Sequence, residues 1–216
     1  MNHTRISGGQ YTIQTTKTAS LGETALAKIM NEIKDLYLWF APESTEDAIR
    51  VRLLQHPRAF IDMLTSVNSE KCAGFSVYYT DVVDGTRVMF RGGTIVKDRS
   101  RGLYKTLLQK AISAEKPDFV VAMTQNPRVY EALRSFSPSG IAYPDKGRIL
   151  PAELKNVVTA FCKVPGLSLD TMVIPGIYDS IRKDHDFKTA TDPLVEKFFK
   201  ETLGENDGFF VIIPLS

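Results

Sequence analysis

The chain has 216 residues, 43% of them hydrophobic and 24% charged, with a formal net charge of +2. Such a balance describes an ordinary globular protein and supplies no global electrostatic pull toward nucleic acid or acidic membranes. The two cysteines, Cys72 and Cys162, read as buried reduced thiols rather than a disulfide framework; with no apolar leader core and no apolar run nearing about 20 residues, a cytoplasmic protein is expected.

Residues 1–10 are polar, include Ser7-Gly8-Gly9, and read as a flexible N-terminus ahead of a single domain over 11–216. Residues 11–18 are rich in β-branched side chains and predict an opening strand. Leu26, Ile29, Met30, Ile33, Tyr37 and Phe40 then recur at three- and four-residue spacing, which predicts a helix stopped by Ala41-Pro42. Ser44 offers an N-cap to a second helix with Ile49, Leu53 and Leu54 on its apolar side. After Pro57, the spacing of Phe60, Ile61, Leu64 and Val67 predicts a further helical turn or two.

From Cys72 the period changes to two. Phe75, Val77 and Tyr79 alternate with Ser76 and Tyr78, Asp84-Gly85 is a hairpin turn signal, and residues 86–96 return as the partner strand. Gly92-Gly93 inside that return marks a bulge or a close backbone approach. Residues 102–113 read as an amphipathic helix carrying Leu103, Leu107, Leu108, Ala111 and Ile112 on one face. Phe119 to Met123 is a continuous apolar run typical of a buried, parallel-type strand. Asn126-Pro127 supplies N-cap and N1 of the next helix, with Tyr130, Leu133 and Phe136 as its stripe. Downstream, Leu154, Val157, Val158 and Phe161 predict a short helix and residues 171–178 a strand. Asp192-Pro193 opens a helix, and residues 209–215 form a closing strand. The fold class is α/β (α+β): a mixed, mostly antiparallel sheet flanked by helices.

The chemistry concentrates where the strand over 86–96 turns into the helix at Gly102. A helix N-terminus presents unpaired backbone N–H groups at the positive end of its dipole, and a glycine there lets an anion approach the backbone. Arg99, Arg101 and Lys105 add positive charge. The Gly-Lys-Ser/Thr ending of a Walker loop and the three glycines of a Rossmann fingerprint are both absent.

Arg99-x-x-Gly102-x-Tyr104 resembles the pyrophosphate loop of the GNAT superfamily of acyl-CoA N-acyltransferases, with Tyr104 where the family places Gly or Ala. The resemblance covers residues 72–136 and leaves 137–216 as a divergent C-terminal part. It implies acetyl-CoA as cofactor, with Ile95 and Val96 offering backbone groups to the pantetheine arm. By the same resemblance, Arg99, Arg101, Gly102, Leu103 and Tyr104 surround the pyrophosphate and Asn126 touches the cofactor. It further implies an N-acetyltransferase acting on a small-molecule or peptide amine.

Amine acylation calls for a base, an oxyanion donor and an acid. The strand over 86–96 carries Arg87 and Arg91 and no carboxylate, so no base is named. The family's tyrosine acid falls at Leu133, and Tyr130, one helical turn earlier, is the candidate in its place; it also fits the apolar stripe. Arg91 fits either an acidic substrate group or a salt bridge. The competing reading is a degenerate GNAT-like module that binds CoA or a protein partner without turnover. No nucleic-acid, membrane or metal partner is expected, the cluster Lys183-Asp184-His185-Asp186 reading as a solvated loop.

Overall fold

The structure is a computed structural model that describes residues 3–6, 9–40, 45–53, 56–98, 102–145, 148–162, 164–178 and 190–216. Two compact units divide the chain. The first holds Met1–Thr80 and Arg91–Glu115, and the second holds Asp81–Phe90 and Lys116–Ser216.

The first unit contains strands β1 (His3–Ile6), β2 (Tyr11–Lys17), β3 (Phe60–Ser66), most of β4 (Cys72–Val83) and the later half of β5 (Thr86–Val96). They lie side by side in that order, with antiparallel pairing from β1 to β4. Helices α1 (Glu23–Phe40), α2 (Glu46–Leu53) and α3 (Leu103–Glu115) complete it. Leu26, Ile33 and Tyr37 of the predicted α1 stripe are buried, as the three- and four-residue spacing requires. Helix α2 is capped by Thr45, whose Oγ1 accepts from the Ala48 N–H at 3.2 Å. The predicted cap, Ser44, lies outside the described residues, as does the Ala41-Pro42 stop.

Two expectations change here. Residues 3–6, within the segment read as a flexible N-terminus, form an edge strand on β2, pairing Thr4 with Ile13. Phe60, Ile61, Leu64 and Val67 are not helical: residues 60–66 form a strand buried on both faces, with Ile61, Asp62, Met63 and Leu64 all at 4% exposure or less. Burial on both faces erases the two-residue alternation, so apolar spacing alone imitates a helix.

Register sets two rows across the face covered by α3. Ile13 pairs with Leu64 and Leu64 with Gly74. Together with Val96, Ile13 and Leu64 form the bed on which Leu103 and Leu107 of α3 pack. Gly74 permits an unusually close approach, since a Cβ there would lie 2.8 Å from the Ile95 carbonyl oxygen. One register step away the row turns polar: Thr15 pairs with Asp62 and Asp62 with Ser76. Asp62 is fully buried. Its Oδ1 accepts from Thr15 Oγ1 at 2.6 Å and from Lys110 Nζ of α3 at 2.7 Å.

The second unit places β6 (Phe119–Thr124) between the start of β5 and β8 (Gly208–Pro214), with β7 (Val173–Ile174) outside β8. The Asp118 N–H donates to the Arg87 carbonyl at 2.7 Å, and the Arg87 N–H to Asp118 Oδ2 at 2.8 Å. Strands β5 and β6 therefore begin side by side and run parallel, while β6 and β8 are antiparallel with Val121 opposite Ile212. Helices α4 (Pro127–Arg134), α5 (Ala152–Phe161) and α6 (Pro193–Thr202) match the predicted segments. Phe199 sits edge-on to Phe209 at 4.8 Å and to Tyr130 at 5.4 Å, so α4, α6 and β8 share one aromatic core. The strand expected over 171–178 shrinks to β7. Met172 and Gly176 both adopt positive φ, and Pro175 removes a ladder donor between them. Antiparallel pairs predominate, and the chain is the mixed α/β protein that its sequence predicts.

Candidate functional site

Gly102 opens α3 with φ at +67°, a conformation that costs an L-residue about 1 kcal/mol or more. A Cβ at this position would meet nothing within 4 Å, so the space beside its backbone is open. The Thr106 N–H is the donor that reaches Gly102 O, at 3.1 Å. Three N–H groups before it, on Leu103, Tyr104 and Lys105, have no intrahelical acceptor and stand at the positive end of the dipole. Arg99, Ser100 and Arg101 lie outside the described residues.

Tyr104, the departure from the small residue of the family pattern, packs its ring against the apolar bed of Val96, Leu103 and Leu107. The Arg91 guanidinium lies over that ring, 5.0 Å from its centroid. Burial raises the Tyr104 hydroxyl pKa above the usual phenol value, against the opposing charge of Arg91, and the hydroxyl has no hydrogen-bond partner among the described residues.

The later half of β5 carries a short side-chain network. Arg91 Nε donates to Thr94 Oγ1 at 3.1 Å, and Thr94 Oγ1 shares a 2.8 Å hydrogen bond with Ser76 Oγ. In an unbroken pleat, residues three apart point to opposite faces. Arg91 stacks on Tyr104 of α3, and Val96, of Thr94's parity, also packs on α3. The alternation therefore breaks between residues 91 and 94, at Gly92-Gly93, where the sequence places a bulge. Ile95 and Val96 follow the break, both buried.

In the second unit, Asn126 is the N-cap of α4: its Oδ1 accepts from the Arg128 N–H at 2.9 Å. Tyr130 is buried at 1% exposure, and its hydroxyl donates to the Pro144 carbonyl at 2.7 Å. Burial, reinforced by Asp145, raises its pKa above the usual phenol value. The phenol is thus held by a backbone acceptor within the core, which is the task of a packing residue. Leu133, at the family's acid position, is equally buried.

Other candidates carry little reactivity. Burial pushes the Cys72 thiol up to about 11 and raises that of Cys162, so both stay protonated at neutral pH. Among the described residues no group of three or more His, Cys, Asp or Glu gathers to hold a metal; His185 and its neighbours lie outside them. No helix among the described residues is long and apolar enough to cross a membrane. What sequence reasoning missed is the buried Asp62–Lys110 pair. Its partners lie 48 residues apart, and only the packing of α3 on β3 brings them together.

No family model matches the chain. No curated protein matches it by sequence either. Solved structures do resemble it. One is the ribosomal-protein-S5-alanine acetyltransferase from Vibrio fischeri, at 16% identity over 62% of this chain and 81% of that one, with a TM-score of 0.45. A second is a GNAT family acetyltransferase from Staphylococcus aureus, at 19% identity over 48% and 78%, with a TM-score of 0.37. A third is AAC(6')-Iy in complex with a bisubstrate analog, CoA-S-monomethyl-acetylneamine, at 19% identity over 51% and 78%, with a TM-score of 0.36. These structural neighbours are acetyltransferases.

Proposed function

We propose that the chain binds an acyl-CoA thioester at the N-terminus of α3 and transfers the acetyl group to an amine, of a small molecule or a peptide. The observation that carries this reading is Gly102: its positive φ and open flank leave three N–H groups without an acceptor among the described residues, at the start of the helix that follows β5. Those N–H groups, with Arg99 and Arg101, suit a pyrophosphate, and the backbone of Ile95 and Val96 suits the amide-bearing arm that follows it. When bound, the cofactor supplies an activated acyl thioester. The residues of this chain bind and orient it, and Asn126 is assigned a cofactor contact beside its capping role. The placement assigned to the protein is cytoplasmic.

Thermal melting with and without acetyl-CoA tests the reading, because a ligand of the folded state raises the melting temperature by mass action. A rise is expected for the native chain and a much smaller one for Gly102→Asp, which adds a negative charge to the cradle. No rise at about millimolar acetyl-CoA, far above an ordinary dissociation constant, sinks it.

A second reading, binding without turnover, is favoured by the Tyr130 hydroxyl being held by Pro144 and by the lack of any carboxylate on β5. Thiol release across an amine panel separates the two. Tight cofactor binding with no release selects the module without turnover.

A further inference from the structure

Arg91 is 8% exposed, yet among the described residues no carboxylate pairs with it. Its Nε–H is bound by Thr94 Oγ1 and its plane lies over Tyr104, which leaves the Nη donors of the guanidinium without a counter-ion. Asp62, opposite Ser76 on the neighbouring strand, is already engaged by Lys110. A buried charge left unpaired is strongly unfavourable unless a partner neutralises it. Beside Arg91 the Tyr104 hydroxyl is a buried donor without an acceptor among the described residues. Two uncommitted donors on one ring-and-guanidinium stack define a receptor for an acceptor-only, negatively charged group.

From this geometry we infer that Arg91 and Tyr104 form an oxyanion-binding subsite, taking a carboxylate or phosphate group. The planar Nη donors match two oxygens of either anion, and the Tyr104 O–H donates a further bond. Thr94, itself fixed by Ser76, holds the guanidinium in place through Nε. The source of the anion rests on the acyl-transfer reading: a phosphate would belong to the cofactor, a carboxylate to the amine acceptor. The receptor itself does not rest on it.

The test uses the intact chain, with inorganic phosphate and acetate as separate probes at constant ionic strength and melting temperature as readout. Both anions are expected to raise the melting temperature of the native chain. Arg91→Gln should lose at least half of that rise, Arg91→Lys should keep part of it, and Tyr104→Phe should reduce it. Equal rises in the native chain and Arg91→Gln overturn the proposal. If Arg91→Gln gives no cooperative melt, an unchanged response in Tyr104→Phe overturns it instead. Coenzyme A and pantetheine then identify the source. If saturating coenzyme A, but not pantetheine, abolishes the anion response, the subsite holds a cofactor phosphate. If the response persists with coenzyme A bound, the subsite is open to an acceptor carboxylate. An Arg91-dependent anion response without any coenzyme A response would defeat the proposed function and leave this subsite standing.

Discussion

Lys110 on α3 donates to Asp62 on β3 at 2.7 Å, joining a helix to a strand that precedes it by 48 residues in the chain. Burial raises the Asp62 pKa above its usual 3.8, even though Lys110 and Thr15 pull it down. The folded state therefore holds this proton longer than the unfolded chain does. Stability assignable to Asp62 is greatest below about pH 4 and declines as pH rises through its folded value. Denaturant unfolding from about pH 3.5 to about pH 7 should show the native chain losing ground to Asp62→Asn as pH increases. A difference that stays constant with pH refutes the assignment. Lys110→Met, which leaves the buried carboxylate without its cation, should cost about 3 kcal/mol.

Gly102→Ala isolates backbone conformation from sterics, because the added Cβ has open space but the φ of +67° disfavours it. A loss of about 1 kcal/mol in chemical denaturation is expected. Gly85→Ala, also at positive φ and in open space, serves as the reference. Similar destabilisation in both, with loss of the acetyl-CoA response in Gly102→Ala alone, would separate the cradle from an ordinary turn.

Tyr130→Phe should leave acetyl transfer unchanged and lower stability by about 1–2 kcal/mol, since it strips the Pro144 carbonyl of its donor in a buried setting. A large drop in kcat with native stability would reinstate Tyr130 as a reacting group.

Asn126 can be probed without unfolding α4. Asn126→Asp keeps an oxygen to accept from the Arg128 N–H, whereas Asn126→Ala removes the cap and should cost about 1 kcal/mol. If coenzyme A affinity falls in the Asp variant while its melting temperature is native, the side-chain amide touches the ligand. Unaltered affinity limits Asn126 to capping.

Local chemistry made much of this architecture legible. Asp84 and Gly85 adopt the positive φ values that their turn demands, and α4 begins at the Asn126-Pro127 pair. Gly92-Gly93 likewise marked the break that Arg91 and Thr94 reveal. Elements decided by tertiary context were not legible. Strand β3 lost its alternation because both faces are buried, and β1 is too polar to announce a strand that exists only by pairing with β2. The charged contacts were equally hidden, because Asp62, Lys110 and Arg91 look like surface residues until the packing of α3 on the sheet covers Asp62 with Lys110 and Arg91 with Tyr104.

Gly74 carries one more consequence. With the Ile95 oxygen 2.8 Å from where a side chain would begin, every amino acid except glycine must push β5 away from β4 at that level. Position 74 should thus behave as a zero-tolerance site in a saturation library, rejecting even alanine. The strand edge assigned to the cofactor arm would then be held by the absence of an atom, which no compensating change elsewhere on β4 could restore.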